Sequence, residues 1–295
     1  MEKYIITSDK VKIYYKVEGE GPALFLLHGN SQNSNIFKRL IKRLKGEYTC
    51  ISIDTRGHGK SLFRGKKLSF NRLMQDVLEV MQAENLQAIN LLGFSDGANI
   101  AMLLASKYPA RVHRLILNAG NSTYAGLYGL VRFTVKSLNF CAQLLRRPSP
   151  ALQLLLEDVL QNMNELENIT APTLVINGQF DVVKTAHAHD IARHIPNSQF
   201  FIIPGGSHLS FYFRPTNFSR IVRHFLEDTW KPPLNKSLNK KPLEVVFLFL
   251  KSLTIRCNDL LVPVKRFFLR TFSCPLDFII QIHINETITF THFTG

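Results

Sequence analysis

The chain has 295 residues, 45% of them hydrophobic and 20% charged. That balance excludes a chain disordered throughout and leaves room for one large domain or two ordinary ones. The net formal charge of +14 invites an anionic partner, but no basic stripe with interleaved aromatics runs through the first 230 residues, which argues against nucleic acid.

Imperfect alternation over residues 11–17 predicts an outer strand, and Gly19, Gly21 and Pro22 mark a turn after it. The unbroken apolar run 23–27 suits a strand buried on both faces, as in a parallel sheet. Ile36, Phe37, Leu40, Ile41 and Leu44 fall at helical spacing. A strand over 49–53 and a helix over 70–84 follow. Then come a strand over 89–92, a helix over 96–107 stopped by Pro109, and a strand over 114–118. Further on the pattern gives a strand at 173–177, a helix at 185–194, a strand at 199–203 and a closing helix at 217–228. Strand and helix in turn predict a doubly wound, mostly parallel sheet covered on both faces.

Two stretches break the rhythm. Residues 121–168 contain no strand pattern. They open with a flexible segment and carry two helical patterns, 130–146 and 151–164, separated by Pro148 and Pro150. Residues 231–295 begin with Lys231-Pro232-Pro233, a domain edge, and hold nine Lys and Arg against four Asp and Glu. The expected division is a core of 1–120 and 169–230, an inserted segment of 121–168, and a basic, hydrophobic C-terminal tail of 231–295. The tail is expected to be poorly ordered and dispensable, with a composition suited to weak contact with an anionic membrane surface.

The four cysteines, Cys50, Cys141, Cys257 and Cys274, show no C-x-x-C spacing. They read as reduced thiols of a cytoplasmic protein. No apolar leader follows Met1, and the longest apolar run, 245–250, is far short of a membrane span.

Chemistry concentrates at Gly93-Phe94-Ser95-Asp96-Gly97, a G-x-S-x-G between a predicted strand and a predicted helix. A serine there sits on a tight turn with its hydroxyl exposed at the positive end of a helix. A lone serine is a poor nucleophile and needs a base, and the base needs an orienting acid. His208, past the strand at 199–203, is the candidate base. Asp181, past the strand at 173–177, is the candidate acid. Asp54 and Asp190 are the rivals, and Asn118 at another strand end carries no charge. An oxyanion hole needs two backbone N–H groups; Asp96 and Asn30 are the candidates, and His28 reads as a structural histidine. Asp96 is also a candidate substrate-binding group, its carboxylate drawing a substrate cation if it faces the pocket. His187, Asp190 and His194 share a helix face but suggest no fourth ligand, so no metal and no cofactor are expected.

The ordered segments Leu26-Leu27-His28-Gly29-Asn30, Asp54-Thr55-Arg56-Gly57-His58-Gly59-Lys60-Ser61, Leu92-Gly93-Phe94-Ser95-Asp96-Gly97-Ala98, Val175-Ile176-Asn177-Gly178-Gln179-Phe180-Asp181 and Gly205-Gly206-Ser207-His208 resemble the α/β-hydrolase superfamily over residues 11–228. Ser95-Asp96-Gly97 is similar to the branch holding small carboxylic-ester and amino-acid-ester hydrolases. The resemblance implies the α/β-hydrolase fold with a short helical lid inserted after the sixth strand. It also implies a serine hydrolase acting on a small-molecule ester, thioester or amide through an acyl-enzyme. Carbon–carbon bond hydrolysis and cofactor-free perhydrolysis occur on the same scaffold, and a non-catalytic binding protein with a hydrolase-like body is the alternative of another class.

Overall fold

A computed structural model of the chain describes residues 1–229. The expectations for the tail, residues 231–295, lie outside the described residues. Eight strands form one sheet: β1 (Glu2–Ile6), β2 (Lys12–Glu18), β3 (Ala23–Leu27), β4 (Thr49–Ile53), β5 (Ile89–Phe94), β6 (Val112–Asn118), β7 (Thr173–Phe180) and β8 (Ser198–Ser207). Their order is β1-β2-β4-β3-β5-β6-β7-β8. β1 and β2 are antiparallel, and β3 to β8 run parallel to one another. The apolar runs of β3, β5 and β7 are buried along nearly their whole length, as strands covered on both faces must be.

Helices α1 (Lys38–Leu44), α2 (Phe70–Ala83), α3 (Asp96–Lys107), α4 (Gly129–Leu144), α5 (Pro150–Leu154), α6 (Thr185–His194), α7 (Ser210–Phe213) and α8 (Pro215–Leu226) follow in chain order. Two apolar clusters separate the faces of the sheet. On one face Leu73 and Val77 of α2, α3, and Ile191 of α6 pack against Phe25, Leu91 and Leu115. On the other, Leu40 and Leu44 of α1, Phe211 of α7 and Phe218 and Val222 of α8 pack against Leu24, Leu92 and Ile116. α3 is buried around its whole circumference, so its composition of Ala, Met, Leu and Ile answers to packing on every side.

β3 pairs with β4 on one edge and β5 on the other. The chain leaves β3 in one direction and returns on the opposite side, which opens a crevice at the strands' carboxyl ends. The loop 28–30 after β3 and Ser95 after β5 meet there. A buried ion cluster anchors the margin of the sheet. Arg56 donates twice to Asp76 of α2, at 2.9 and 2.7 Å, and twice to Asp9 of the β1–β2 turn, at 2.7 and 2.8 Å. Asp54, a rival acid in sequence, accepts from the N–H groups of Ser34 and Lys60 and so ties two loops together.

The insertion departs from expectation in one respect. The first helical pattern is α4, but the second ends at Leu154 instead of continuing to 164. The N–H groups of Val159 and Leu160 both donate to the Ser122 carbonyl, and Asn162 caps a short 3₁₀ turn over Met163–Asn168. Those bonds draw the backbone out of the helical ladder. β1 carried no sequence signal, because an edge strand with alternate half-exposed residues has little apolar pattern to read.

Candidate active site

β5 delivers Ser95 to a turn that most residues avoid. Its φ is 53° and its ψ −120°, a conformation that costs about 1–3 kcal/mol and persists only where its surroundings enforce it. The flanking glycines show how. A Cβ on Gly93 would strike the Gly97 carbonyl and Ala98, and a Cβ on Gly97 would strike the Leu27 and His28 carbonyls. The sharp bend is possible only with both side chains absent.

Ser95, His208 and Asp181 form a continuous hydrogen-bonded line. His208 Nε2 lies 3.2 Å from Ser95 Oγ, and Nδ1 lies 2.7 Å from Asp181 Oδ1. Asp181 also accepts from the Gly178 N–H at 3.0 Å and the Val183 N–H at 3.2 Å. Burial alone would raise its carboxyl. The His208 ring, its hydrogen bond and the two N–H donors outweigh burial and hold the pKa below the usual carboxylate value. The Phe94 ring packs against His208 at 4.8 Å between centroids and is backed by Phe211 at 4.6 Å. Phe211 is buried behind the site, while Phe213 faces solvent. Asp190 is not part of the line: it is an exposed residue of α6, and its carbonyl accepts from His194 Nδ1.

The two candidate oxyanion donors flank Ser95. Asp96 is the first residue of α3, where backbone N–H groups have no helical acceptor. The 28–30 loop is held against the serine: a Cβ on Gly29 would lie 3.0 Å from Ser95 Cβ. His28 fixes that loop. Its Nδ1 pairs with the Gly29 carbonyl at 2.7 Å and its Nε2 accepts from the Thr55 N–H at 3.0 Å. Burial, with His58 alongside, lowers its pKa to about 3, so the ring is neutral.

Asp96 borders the space beside Ser95 and His208. Burial raises its pKa to about 6, against the opposing pull of Asn30 and His208. Asn30 contributes a bridge that no sequence pattern announced. Its amide donates to Asp96 Oδ2 at 2.8 Å and to the Ala151 carbonyl of α5, also at 2.8 Å. Leu154, Leu155 and Glu157 of the insertion border the space beside Ser95, which measures about 10 Å³, of the order that holds one water. Glu157 is paired with Lys67 at 2.8 Å. A wider concavity of about 390 Å³ lies on the outer side of α2, bordered by Gln75, Glu79, Tyr108 and Arg111, and meets none of these groups.

The two histidines considered for a metal face on α6 have other partners. His187 Nε2 accepts from the Ser122 N–H at 3.1 Å, and burial lowers its pKa. His194 turns back onto its own helix.

Residues 22–132 match a family model described as alpha/beta hydrolase fold. Serine hydrolase BPHL of Mus musculus is 24% identical over 253 residues, covering 75% of this chain and 87% of that protein. A pimeloyl-[acyl-carrier protein] methyl ester esterase of Nitrosospira multiformis is 27% identical over 267 residues, covering 72% and 98%. Among solved structures, the enol-lactonase from Burkholderia xenovorans LB400 superposes with a TM-score of 0.64 at 20% identity, covering 76% of this chain and all of that one.

Proposed function

From a chain that belongs to the α/β-hydrolase superfamily, we propose a serine hydrolase that cleaves a small ester, thioester or amide through an acyl-enzyme. The observation that carries this reading is the unbroken line from Ser95 Oγ through His208 to Asp181. Ser95 Oγ attacks the carbonyl carbon as His208 Nε2 takes its proton. Asp181 keeps the ring oriented and stabilises the imidazolium. The backbone N–H groups of Asn30 and Asp96 receive the developing oxyanion. His208 then returns the proton to the leaving group, and a water repeats the sequence to release the acid.

The similarity to a serine hydrolase and to a methyl ester esterase supports an ester-cleaving serine hydrolase. The cavity adds a selective element. Asp96 is ionised only above about pH 6, and in that state its carboxylate would pair with a cationic group near the scissile carbonyl, such as an α-amine. At about 10 Å³ the space beside Ser95 must widen for an acyl group to enter, and the 154–157 segment borders it.

The test is a fluorophosphonate probe with a panel of chromogenic esters, thioesters and amides that includes an amino-acid ester and its N-acetylated analogue. Labelling at Ser95 and a loss of about 10⁵-fold or more in kcat for Ser95→Ala are expected. A Ser95→Ala protein that retains a tenth of wild-type turnover excludes the mechanism. Equal kcat/KM for the free and acetylated esters removes Asp96 from substrate recognition and leaves the triad standing.

A further inference from the structure

α4 has two apolar faces. Val131, Val135 and Ala142 are buried against the body. At 100° per residue, Leu130, Phe133, Phe140 and Leu144 fall together on the opposite side. They are 46%, 51%, 65% and 72% exposed. Single exposed apolar residues are ordinary on a protein surface, but a contiguous stripe of four large ones on one helix marks an interaction site.

The charge beside the stripe has one sign. Lys136 lies one helical turn from both Phe133 and Phe140, and Arg147 lies three residues beyond Leu144; Arg132 and Arg146 add to them. No Asp or Glu occurs between Gly97 and Leu156. Whatever covers the stripe meets a rim of Lys and Arg drawn from a segment that contributes no acid. A second copy of this face would set four more cations against them. The chain's own residues 231–295 hold nine basic and four acidic side chains, again the wrong sign. Like charges disfavour both occupants. An anionic bilayer supplies an apolar layer for the Phe and Leu side chains and headgroup anions for the Lys and Arg rim. The 16 residues of α4 extend about 24 Å. Among the described residues no helix is long and apolar enough to cross a membrane, so α4 would lie along the surface.

We propose that α4 is an interfacial helix that docks the protein reversibly on an anionic lipid bilayer. Leu130, Phe133, Phe140 and Leu144 enter the acyl boundary, and Lys136 and Arg147 pair with headgroup phosphates. α4 packs on α5, whose Leu154 borders the space at Ser95, so docking sets that border beside the lipid surface. The inference is independent of the reaction assigned to Ser95.

The test is flotation of the full chain with phosphatidylcholine vesicles, with and without about one third phosphatidylserine. Binding is expected on the anionic vesicles, at least about tenfold weaker on the neutral ones, and reduced by high salt. Phe133→Ser/Phe140→Ser/Leu144→Ser should lower the partition coefficient by more than about tenfold. Lys136→Ala and Arg147→Ala should each lower it about fivefold. All the substituted side chains lie outside the space at Ser95, so hydrolysis of a water-soluble ester and the far-ultraviolet spectrum report that each variant is folded. In Phe140→Trp with Trp230→Phe, indole emission should shift to the blue on vesicles and be quenched by brominated lipid. Equal flotation of wild type and the triple serine variant overturns the proposal. So does absence of flotation, an unmoved indole spectrum, or a dimer in solution that the triple variant dissociates.

Discussion

Asp181 and Asp96 are buried carboxylates near the same imidazole, and their surroundings push them in opposite directions. Asp181 has two backbone N–H donors besides His208 and titrates below its usual value. It is therefore ionised wherever His208 is to act as a base. Asp181→Asn should lower kcat by about 10³–10⁴-fold with the fold retained, because the amide presents the wrong partner to Nδ1. Asp190→Asn should leave kcat within about twofold. The reverse ranking, measured on the same chromogenic ester, would move the acid to α6. Asp96 has one side-chain donor and a pKa raised to about 6. Its folded-state pKa exceeds the unfolded value near 4, so its ionisation weakens the fold as pH rises through that window. Asp96→Asn should therefore stabilise the protein by up to about 3 kcal/mol at pH 7.5, with the gain fading below about pH 4. A denaturant midpoint unchanged by Asp96→Asn at pH 7.5 would refute the buried charge. Asp96, Asp181 and His208 were legible in the sequence because each follows a strand end. The Asn30 bridge was not, because its partner Ala151 lies 121 residues away.

The elements differ in how openly the sequence declares them. β3, β5 and β7 announce themselves by unbroken apolar runs, since burial on both faces leaves no polar position. The apolar stripe after Pro150 predicts a longer helix than α5, but Leu156 and Glu157 make only local turn bonds, and Val159 and Leu160 bond to Ser122 instead of to a helical ladder. Periodicity reports which side chains are buried and is silent on where the backbone hydrogen bonds go. The β1–β2 hairpin depends on a contact the sequence could not place. Arg56 joins Asp9 of its turn to Asp76 of α2, and both Arg56 and Asp76 are buried. Arg56→Ala leaves the buried Asp76 carboxylate with Arg72 as its remaining cationic partner and should destabilise the protein by up to about 3–5 kcal/mol in urea unfolding. Arg56→Ala/Asp76→Asn should recover part of the loss. A single variant within about 0.5 kcal/mol of wild type would show that Arg72 alone compensates Asp76.

Every group assigned to the chemistry lies between Asn30 and His208. A chain ending at Trp230 should keep kcat/KM on a soluble ester within about threefold, since no reacting group is removed. Loss of activity on truncation would place residues 231–295 within the functional body. The interleaving of strand and helix was enough to read the sheet and the order of its motifs. The strand order required the structure, because periodicity does not say which neighbour a strand takes. That order has a bearing on how the newborn chain behaves. β3 is followed in sequence by β4, yet its other edge waits for β5, with Leu24 opposite Asn90. The Ser95–His208 bond closes across 113 residues. Contacts so distant in sequence form late, after the entropy of closing long loops has been overcome. As the chain emerges during synthesis, the serine turn is therefore complete before its base exists. On the proposed mechanism, hydrolysis cannot begin until the last strand of the sheet has docked and brought His208 to Ser95.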